Sequence, residues 1–360
     1  MDGDRSAPRR ASRATGLRRL GLNAALAVAS IVASVGVLAL VGAALVRLGI
    51  MEVEPPMRTL MRAGSEDWRW AHITADDYRE PDPVLLWRPI ASRPYTKQRF
   101  KGPVVAETKP AGVFRIFCYG DSNTDGPIRG TWPERLQQVL DRERGPDDPT
   151  YEVLNAGVAG YSSHQGLLRF RQEARRFAPD LVLVSFGWND VATALGAPDR
   201  DFDPPGLLAA IERPLLHFTF YRLARQLARR ASPSPPPVGP RVPIADYLAN
   251  MRGFVETARE VGAEAVFLTR THRETPPDLE RAFENWRSRV PSYNNALRRF
   301  GREEGQLVVD VERFFRNRPA LFGDECHFDR PGLEAMASLL HEVLAAEGKL
   351  GAARRDESDG

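Results

Sequence analysis

Cysteine is scarce in this sequence. Only Cys118 and Cys326 occur among its 360 residues, which excludes the disulfide framework that holds many small secreted domains together. No Cys-x-x-Cys pair and no Cys/His pair with zinc-ligand spacing is present, and this argues against a structural zinc site. Outside the cytoplasm the two thiols can form one disulfide; the alternative is two small buried hydrophobic side chains.

The sequence also lacks a strong charge imbalance and any tandem repeat. Its 50 Lys and Arg residues are nearly balanced by 47 Asp and Glu residues, which leaves a formal net charge of +3. That surplus is too small to indicate a nucleic-acid partner, because nucleic-acid-binding domains carry dense basic surfaces. The length permits one large domain or two smaller ones, each able to bury a core.

Charged residues are absent from one long run, Leu20 to Val46. An uncharged apolar segment of this length can cross a bilayer as a helix. Six arginines precede it within the first 19 residues, and basic flanks are retained in the cytoplasm. We therefore predict a basic cytoplasmic N-terminus at 1–19, a transmembrane signal-anchor helix at 20–47, and the remainder of the chain in the periplasm or outside the cell. A cleaved signal peptide and a buried helix of a soluble protein are the alternatives.

Beyond residue 110, short β-rich runs alternate with amphipathic helical segments. The five β-rich runs begin at Val113, Tyr151, Leu181, Ala263 and Gln306, and the segments between them carry apolar residues at three- and four-residue spacing. This alternation predicts an α/β fold in which a mainly parallel five-stranded sheet has helices on both faces, a three-layer α/β/α arrangement. We assign this domain to 111–348, an irregular juxtamembrane lead-in to 48–110 and a disordered tail to 349–360.

Residues 191–243 interrupt this alternation. They contain an apolar, arginine-rich helical stretch and then a segment rich in Pro and Ser, which cannot form a regular helix or a central strand. We interpret the interval as an insertion near the site that can act as a lid. Its apolar side chains beside arginines also permit contact with a membrane surface, and a helix packed on its own domain is the alternative.

Polar residues follow four of the predicted strands. In an open parallel sheet, functional groups gather just beyond the carboxyl ends of the strands. The residues at these positions form four short blocks: Gly120-Asp121-Ser122-Asn123, Asn155 to Gly160, Gly187-Trp188-Asn189-Asp190, and Asp324 to His327. Their placement predicts one site at this edge of the sheet.

The residue types in these blocks suit acyl transfer. A serine hydroxyl becomes a nucleophile when a base removes its proton and a third group holds that base in one tautomer. Ser122 can be the nucleophile and His327 the base. Asp324, three residues before the histidine, can accept its other ring N–H through a turn. The blocks therefore predict a catalytic triad.

Acyl transfer also requires hydrogen-bond donors aimed where negative charge develops on the carbonyl oxygen. The backbone N–H groups of Ser122 and Gly160 can supply two of them, and the side-chain amide of Asn189 a third. Glycine suits the second position because a side chain would block the oxyanion. Gly157 lies in the same block and competes for this role.

Further residues lie close to these blocks. Asp121, and similarly Asp190, can be a second catalytic carboxylate or an acceptor that orders a turn. Trp188 can line the substrate pocket or pack in the core. His164 and His272 can contact substrate at the rim or lie on the surface without a role.

The four blocks, in this order and at these separations, resemble the SGNH/GDSL hydrolase family of lipases and acylhydrolases. "YGDSNTDG" is similar to its nucleophile block, "NAGVAGYSS" to its glycine block, "FGWND" to its asparagine block and "DECHFD" to its Asp-x-x-His block. The resemblance covers residues 81–347 and includes "PDPVLLWRP", which is similar to the lead-in of many bacterial members. By position it implies the catalytic roles given above, and the spacing from Asn155 favours Gly160 over Gly157. Asn123 departs from the pattern, since the motif that names the family has Leu there.

The resemblance implies a flavodoxin-like three-layer fold and a serine esterase that forms a covalent acyl-enzyme without a metal or other cofactor. Together with the predicted anchor, it leads us to expect a membrane-anchored bacterial hydrolase that cleaves O-acyl, chiefly O-acetyl, esters of a cell-envelope glycan or a small acylated molecule. A glycan O-acyltransferase, a lipase or lysophospholipase, and a non-catalytic envelope scaffold are the alternatives. The sequence leaves the oligomeric state open.

Overall fold

A computed structural model of the protein describes residues 23, 26–27, 29–30, 33–52, 69, 78–82, 84–92, 94–126, 130–202, 215, 218–231, 236–273 and 284–351. The chain divides into two compact units. The first comprises residues 1–63 and 207–232, and the second comprises residues 64–206 and 233–360.

Two helical segments of the first unit lie among the described residues. Residues 33–47 are helical, and a second helix is Thr219–Ala231. Gly42 lies where they approach each other, since a Cβ at this position would lie 3.3 Å from Leu223 Cδ1. Within the described residues, no helix has both the length and the apolar composition to cross a bilayer. The predicted anchor at 20–47 includes residues outside that set and stays a prediction.

The second unit is built around a five-stranded sheet. The strands among the described residues are β1 Arg79–Asp82, β2 Leu86–Pro89, β3 Val113–Gly120, β4 Thr150–Asn155, β5 Leu181–Ser185, β6 Thr193–Leu195, β7 Pro237–Pro240, β8 Glu264–Leu268 and β9 Val308–Val309. The order in the sheet is β4–β3–β5–β8–β9, and every neighbouring pair is parallel. The other described strands form two small antiparallel pairs, β1–β2 and β6–β7. The predicted α/β fold with a mainly parallel five-stranded sheet is confirmed.

Seven helices of the second unit lie among the described residues and connect these strands. They are α1 Ser122–Asp125, α2 Trp132–Glu143, α3 Ser163–Phe177, α4 Ile244–Glu260, α5 Glu284–Glu304, α6 Val311–Phe315 and α7 Arg330–Ala346. Strand and helix alternate along the chain as the sequence predicts, because each crossover between parallel strands needs a covering helix.

Side chains alternate across β3 and bury both faces of the sheet. Ile116 and Cys118 belong to a core shared with α2 and α7. Phe117 and Tyr119 point the other way, and the Tyr119 ring centroid lies 5.1 Å from that of Phe170 in α3. Fully burying a large apolar side chain contributes roughly 1.5–3 kcal/mol. Helices therefore cover both faces of the sheet. The apolar contacts on the two faces hold the end of β3 in place.

The lead-in contains a β-hairpin formed by β1 and β2. Asp82 Oδ1 orders its turn by accepting the backbone N–H groups of Val84 and Leu85 at 2.9 and 2.8 Å. Leu86 has a φ of +67°, in the region that favours glycine, and Trp87 is fully buried. The strands at 79–82 and 86–89 therefore give the lead-in a regular element, although its sequence has little periodicity. Contacts with distant residues bury this hairpin, so it needs no alternating pattern of its own.

The two ends of the predicted insertion, 191–243, are joined by the β6–β7 pair. Arg241 N donates to Ala192 O at 2.7 Å and Val242 N donates to Asp190 O at 3.0 Å. These bonds fix the return of the chain beside the asparagine block. Residues 203–214, 216–217 and 232–235 lie outside the described set, so the lid stays a prediction.

Candidate active site

The nucleophile turn lies at the carboxyl end of β3. That strand ends at Gly120, and Ser122 is the first residue of the one-turn helix α1. Asp121 Oδ1 caps the turn by accepting the backbone N–H of Asn123 at 3.0 Å, as Asp does at helix N-termini. A Cβ on Gly120 would lie only 2.9 Å from the carbonyl oxygen of Ser185. Glycine is therefore required at this turn, and Asp121 makes the ordering contact.

The turn places Ser122 against the loop that precedes α7. Ser122 Oγ lies 2.7 Å from His327 Nε2, and His327 Nδ1 lies 2.9 Å from Asp324 Oδ2. With Nδ1–H donating to the carboxylate, Nε2 is the acceptor for the serine proton. The structure thus brings the three residues together in the order that base-assisted attack requires.

The loop backbone holds the carboxylate of Asp324. Its Oδ1 accepts the N–H groups of Cys326 at 3.0 Å and of His327 at 2.8 Å. Partial burial disfavours the charged form, but these N–H groups and the imidazole lower the pKa of Asp324 below its ordinary value. The carboxylate is therefore ionised at neutral pH and can stabilise an imidazolium.

Gly160 and Asn189 lie in adjoining loops after β4 and β5. Gly160 has a φ of +82°, a conformation that side chains disfavour. The Asn189 side chain is buried and donates an amide N–H to Tyr161 O at 3.0 Å. An amide nitrogen carries two N–H groups, so the second can serve an oxyanion. The structure therefore links two of the three predicted donors, Gly160 and Asn189, through Tyr161.

Gly157, the competing glycine, has a packing role. Its N–H donates to Asn155 Oδ1 at 2.9 Å. A Cβ here would lie 2.8 Å from the carbonyl carbon of Thr124 in α1. Because its N–H is already used and α1 leaves no room for a side chain, Gly160 is the better candidate for the oxyanion donor.

Asp190 orders the asparagine block. Its carboxylate accepts the backbone N–H groups of Ser163 and Gly187, each at 3.0 Å, and it also accepts the Ser163 hydroxyl. Burial raises the pKa of Asp190 to about 6. These contacts tie the end of β5 to the start of α3, which is the turn-ordering role rather than a catalytic one.

Three other predicted residues lie in the loops around the site. Trp188 is 3% exposed, and its ring centroid lies 6.0 Å from that of His272. His272 Nδ1 lies 3.2 Å from the Arg273 carbonyl oxygen. His164 is half-buried at the start of α3, and burial lowers its pKa. Contact of these residues with substrate stays a prediction.

Both cysteines are free thiols and buried. Burial raises the pKa of Cys118 and of Cys326. The sequence allows either a disulfide between them or two buried hydrophobic side chains, and the structure shows the latter.

Arg270, which the sequence analysis missed, lies beneath the nucleophile turn. It follows β8 and is buried, and its Nη2 donates to Asp121 Oδ1 at 3.2 Å. Asn294 holds its backbone: Arg270 N donates to Asn294 Oδ1 at 2.8 Å, and Asn294 Nδ2 donates to Arg270 O at 2.7 Å. The guanidinium compensates the buried carboxylate that caps α1. The available signal in the sequence is an arginine two residues after the last residue of β8.

A buried ion-pair cluster supports the glycine loop, residues 156–161, which follows β4. Asp199 accepts hydrogen bonds from Arg241 at 2.8 Å, Arg69 at 3.2 Å and the Ser162 hydroxyl at 2.6 Å. Burial disfavours the charged form of this carboxylate, but the two arginines and the hydroxyl stabilise that form and lower the pKa of Asp199 below its ordinary value. Arg241 Nη1 also donates to Gly160 O at 2.8 Å. The cluster therefore connects the end of the insertion to the glycine loop, which carries the predicted oxyanion donor Gly160.

Two curated relatives share short matches with the chain. An arylesterase of Vibrio mimicus is 35% identical over 79 residues, which cover 21% of this chain and 38% of that protein. The uncharacterized lipoprotein YqeF of Bacillus subtilis is 29% identical over 93 residues, 25% of this chain and 37% of that protein. The matches thus span less than two fifths of the length of these relatives.

Solved structures of similar proteins include a lipase/acylhydrolase from Enterococcus faecalis and the acetyl xylan esterase AlAXEase. The former is 17% identical, with a TM-score of 0.44 over 67% of this chain and 99% of that chain. The latter is 16% identical, with a TM-score of 0.44 over 64% of this chain and 100% of that chain.

The model of the GDSL-like lipase/acylhydrolase family matches residues 118–335. This match is more than half of the chain. It begins in β3, ends in α7 and includes all four polar blocks. The chain therefore belongs to the GDSL-like lipase/acylhydrolase family, a family of carboxylic ester hydrolases.

Proposed function

We propose that the protein is a serine esterase that cleaves O-acyl esters through a triad of Ser122, His327 and Asp324. The observation that carries this proposal is the 2.7 Å contact between Ser122 Oγ and His327 Nε2, with Nδ1 bound to Asp324 at 2.9 Å. A neutral imidazole held in this tautomer can accept the serine proton during attack. The relative named arylesterase supports ester hydrolysis.

The proposed reaction has two half-reactions. Ser122 Oγ bonds to the acyl carbon while its proton moves to His327 Nε2. The resulting oxyanion accepts hydrogen bonds from the backbone N–H groups of Ser122 and Gly160 and from the Asn189 amide. Collapse breaks the bond between the acyl carbon and the alcohol oxygen, which receives the proton from Nε2. Water then attacks the acyl-enzyme by the same route, which releases the acid and restores Ser122.

The proposed substrate is an O-acetyl ester of a cell-envelope glycan. This assignment depends on the predicted anchor at 20–47, which would place the second unit outside the cytoplasm. Recovery of the full-length chain in the soluble fraction instead of the membrane fraction would remove that support. Transfer of the acyl group to a glycan hydroxyl uses the same acyl-enzyme, with an alcohol in place of water in the second half-reaction.

A lipase is the second candidate. Phe218 and Leu227 in the first unit are 56% and 53% exposed. Large exposed apolar side chains next to arginines suit contact with a lipid surface.

Activity on esters of increasing acyl length distinguishes these candidates. We expect kcat/KM to be highest for p-nitrophenyl acetate and about 10-fold lower for the octanoate and laurate, because a site shaped for acetyl excludes extra methylenes. A rise in kcat/KM with chain length would favour the lipase. With isotopically labelled acetyl donor and added glycan, label in free acetate indicates hydrolysis and label in the glycan indicates transfer.

Asn189→Ala tests the oxyanion donor. We expect kcat for p-nitrophenyl acetate to fall about 10²- to 10³-fold with a much smaller change in KM, because the lost hydrogen bond strengthens in the transition state. Asn295→Ala is the matched control, since Asn295 lies exposed on α5. Equal kcat values for the two variants would contradict the role of Asn189.

A further inference from the structure

Three successive carbonyl groups of the glycine loop are each held by a different side chain. Trp87 Nε1 donates to Ala159 O at 3.1 Å. The next two carbonyls, of Gly160 and Tyr161, accept from Arg241 at 2.8 Å and from Asn189 at 3.0 Å. The first donor belongs to β2 of the lead-in, far along the chain from the four polar blocks.

The Ala159 carbonyl and the Gly160 N–H belong to one peptide group. Because a trans peptide is planar, its C=O and N–H point to opposite sides. A donor that fixes the direction of the carbonyl therefore fixes the direction of the N–H. Gly160 itself supplies little restraint, since it has no β-carbon and a φ of +82°.

We propose that Trp87 is a positioning residue for the oxyanion hole: by holding the Ala159 carbonyl, it aims the Gly160 N–H at the developing oxyanion. This inference rests on the proposed esterase function. It assigns a part in catalysis to the hairpin that precedes the sheet.

Trp87 is itself held firmly. Its side chain is fully buried, and its own carbonyl accepts the hydroxyl of Tyr161 at 2.6 Å. The two rings meet edge to face with centroids 5.6 Å apart. The Arg241 guanidinium lies 5.8 Å from the indole centroid. Two hydrogen bonds thus join β2 to the glycine loop. In one the Trp87 side chain donates to a loop carbonyl, and in the other a loop side chain donates to the Trp87 carbonyl.

The geometry required of an oxyanion donor makes this restraint consequential. Donors act when they lie within about 2.7–3.1 Å of the position that the oxyanion will occupy, and a misplacement of about 1 Å can cost about 100-fold in rate. Substrate binding places weaker demands on this N–H, because the ground-state carbonyl carries less charge. Loss of the Trp87 hydrogen bond should therefore lower kcat more than it raises KM.

The test compares Trp87→Phe with Trp132→Phe on p-nitrophenyl acetate. Trp132 is buried in the core shared by α2 and α7, so its variant loses similar ring area without loosening the glycine loop. We expect Trp87→Phe to lower kcat about 10-fold with KM within about 2-fold of wild type, and to weaken inhibition by phenylboronic acid by a similar factor. We expect Trp132→Phe to lower the melting temperature and leave kcat unchanged.

Tyr161→Phe supplies a second variant that keeps the indole in place. It removes only the hydroxyl bond to Trp87 O and should lower kcat about 3-fold. The inference would be overturned if Trp87→Phe and Tyr161→Phe both kept the wild-type kcat and boronate affinity. It would also be overturned if Trp132→Phe lost as much kcat as Trp87→Phe. If Ser122→Ala retained activity, the proposed function would fail; if Ser122→Ala were inactive while Trp87→Phe kept the wild-type kcat, only the role of Trp87 would fail.

Discussion

Replacing Ser122 with Ala is expected to lower kcat for p-nitrophenyl acetate by about 10⁴-fold or more. The variant loses the only oxygen within hydrogen-bond distance of His327 Nε2 among the described contacts, and no acyl-enzyme can form without it. KM should change little, because the donors that meet the substrate carbonyl remain. Steady-state hydrolysis and covalent labelling by a fluorophosphonate probe measure the two effects separately.

Ser92→Ala is the matched control for this change, since Ser92 lies exposed in the lead-in. It should retain wild-type kcat and labelling. His327→Ala should approach the loss seen in Ser122→Ala, because the two residues act as one unit. Wild-type turnover in both Ser122→Ala and His327→Ala would rule out the triad, and a folded wild-type protein that fails to label would point to the scaffold alternative.

Replacing Arg241 with Met should lower the free energy of unfolding by about 3–5 kcal/mol. Removing one partner of a buried ion pair leaves the other charge poorly compensated, and both Arg241 and Asp199 are fully buried at their side chains. Arg69 retains its contact with Asp199, which favours the lower end of this range. Urea unfolding followed by circular dichroism measures the change.

Arg175→Met serves as the control for the Arg241 variant. Arg175 pairs with Glu260 on the surface, where the two side chains are 81% and 57% exposed, so its loss should cost about 1 kcal/mol or less. Combining Arg241→Met with Asp199→Asn should recover part of the loss, because the uncompensated carboxylate is then absent. Equal stability of Arg241→Met and Arg175→Met would show that the buried cluster contributes little to the fold.

The strands, and the proximity of Ser122, Asp324 and His327, could be predicted because their signals are local. The run before Gly120 is apolar except for Arg115 and predicts a buried strand. The polar residues after each strand mark the functional edge of a parallel sheet. Asp324 and His327 lie three residues apart, so one turn brings them together. These features require no knowledge of how distant segments pack.

The supporting contacts could not be predicted because they join residues that are far apart in the chain. Trp87 meets Ala159 across 72 residues and Arg241 meets Asp199 across 42. No spacing rule links such pairs, and an arginine in a proline-rich segment looks like an ordinary surface residue until its burial is known. Arg270 could be predicted in part. The sequence shows a charge two residues after the end of a strand, but it does not show that the partner of this charge is Asp121.

The hairpin of β1 and β2 has a consequence for where a shortened chain can begin. A fragment that starts at residue 111 would contain the complete sheet and every residue of the triad, yet it would leave the Ala159 carbonyl without its indole donor and expose the apolar surface that Trp87 covers. Truncation at residue 111 would separate Ser122, Asp324 and His327 from the hairpin that contacts the glycine loop. A fragment that keeps this support must therefore include the hairpin, which precedes the first strand of the five-stranded sheet.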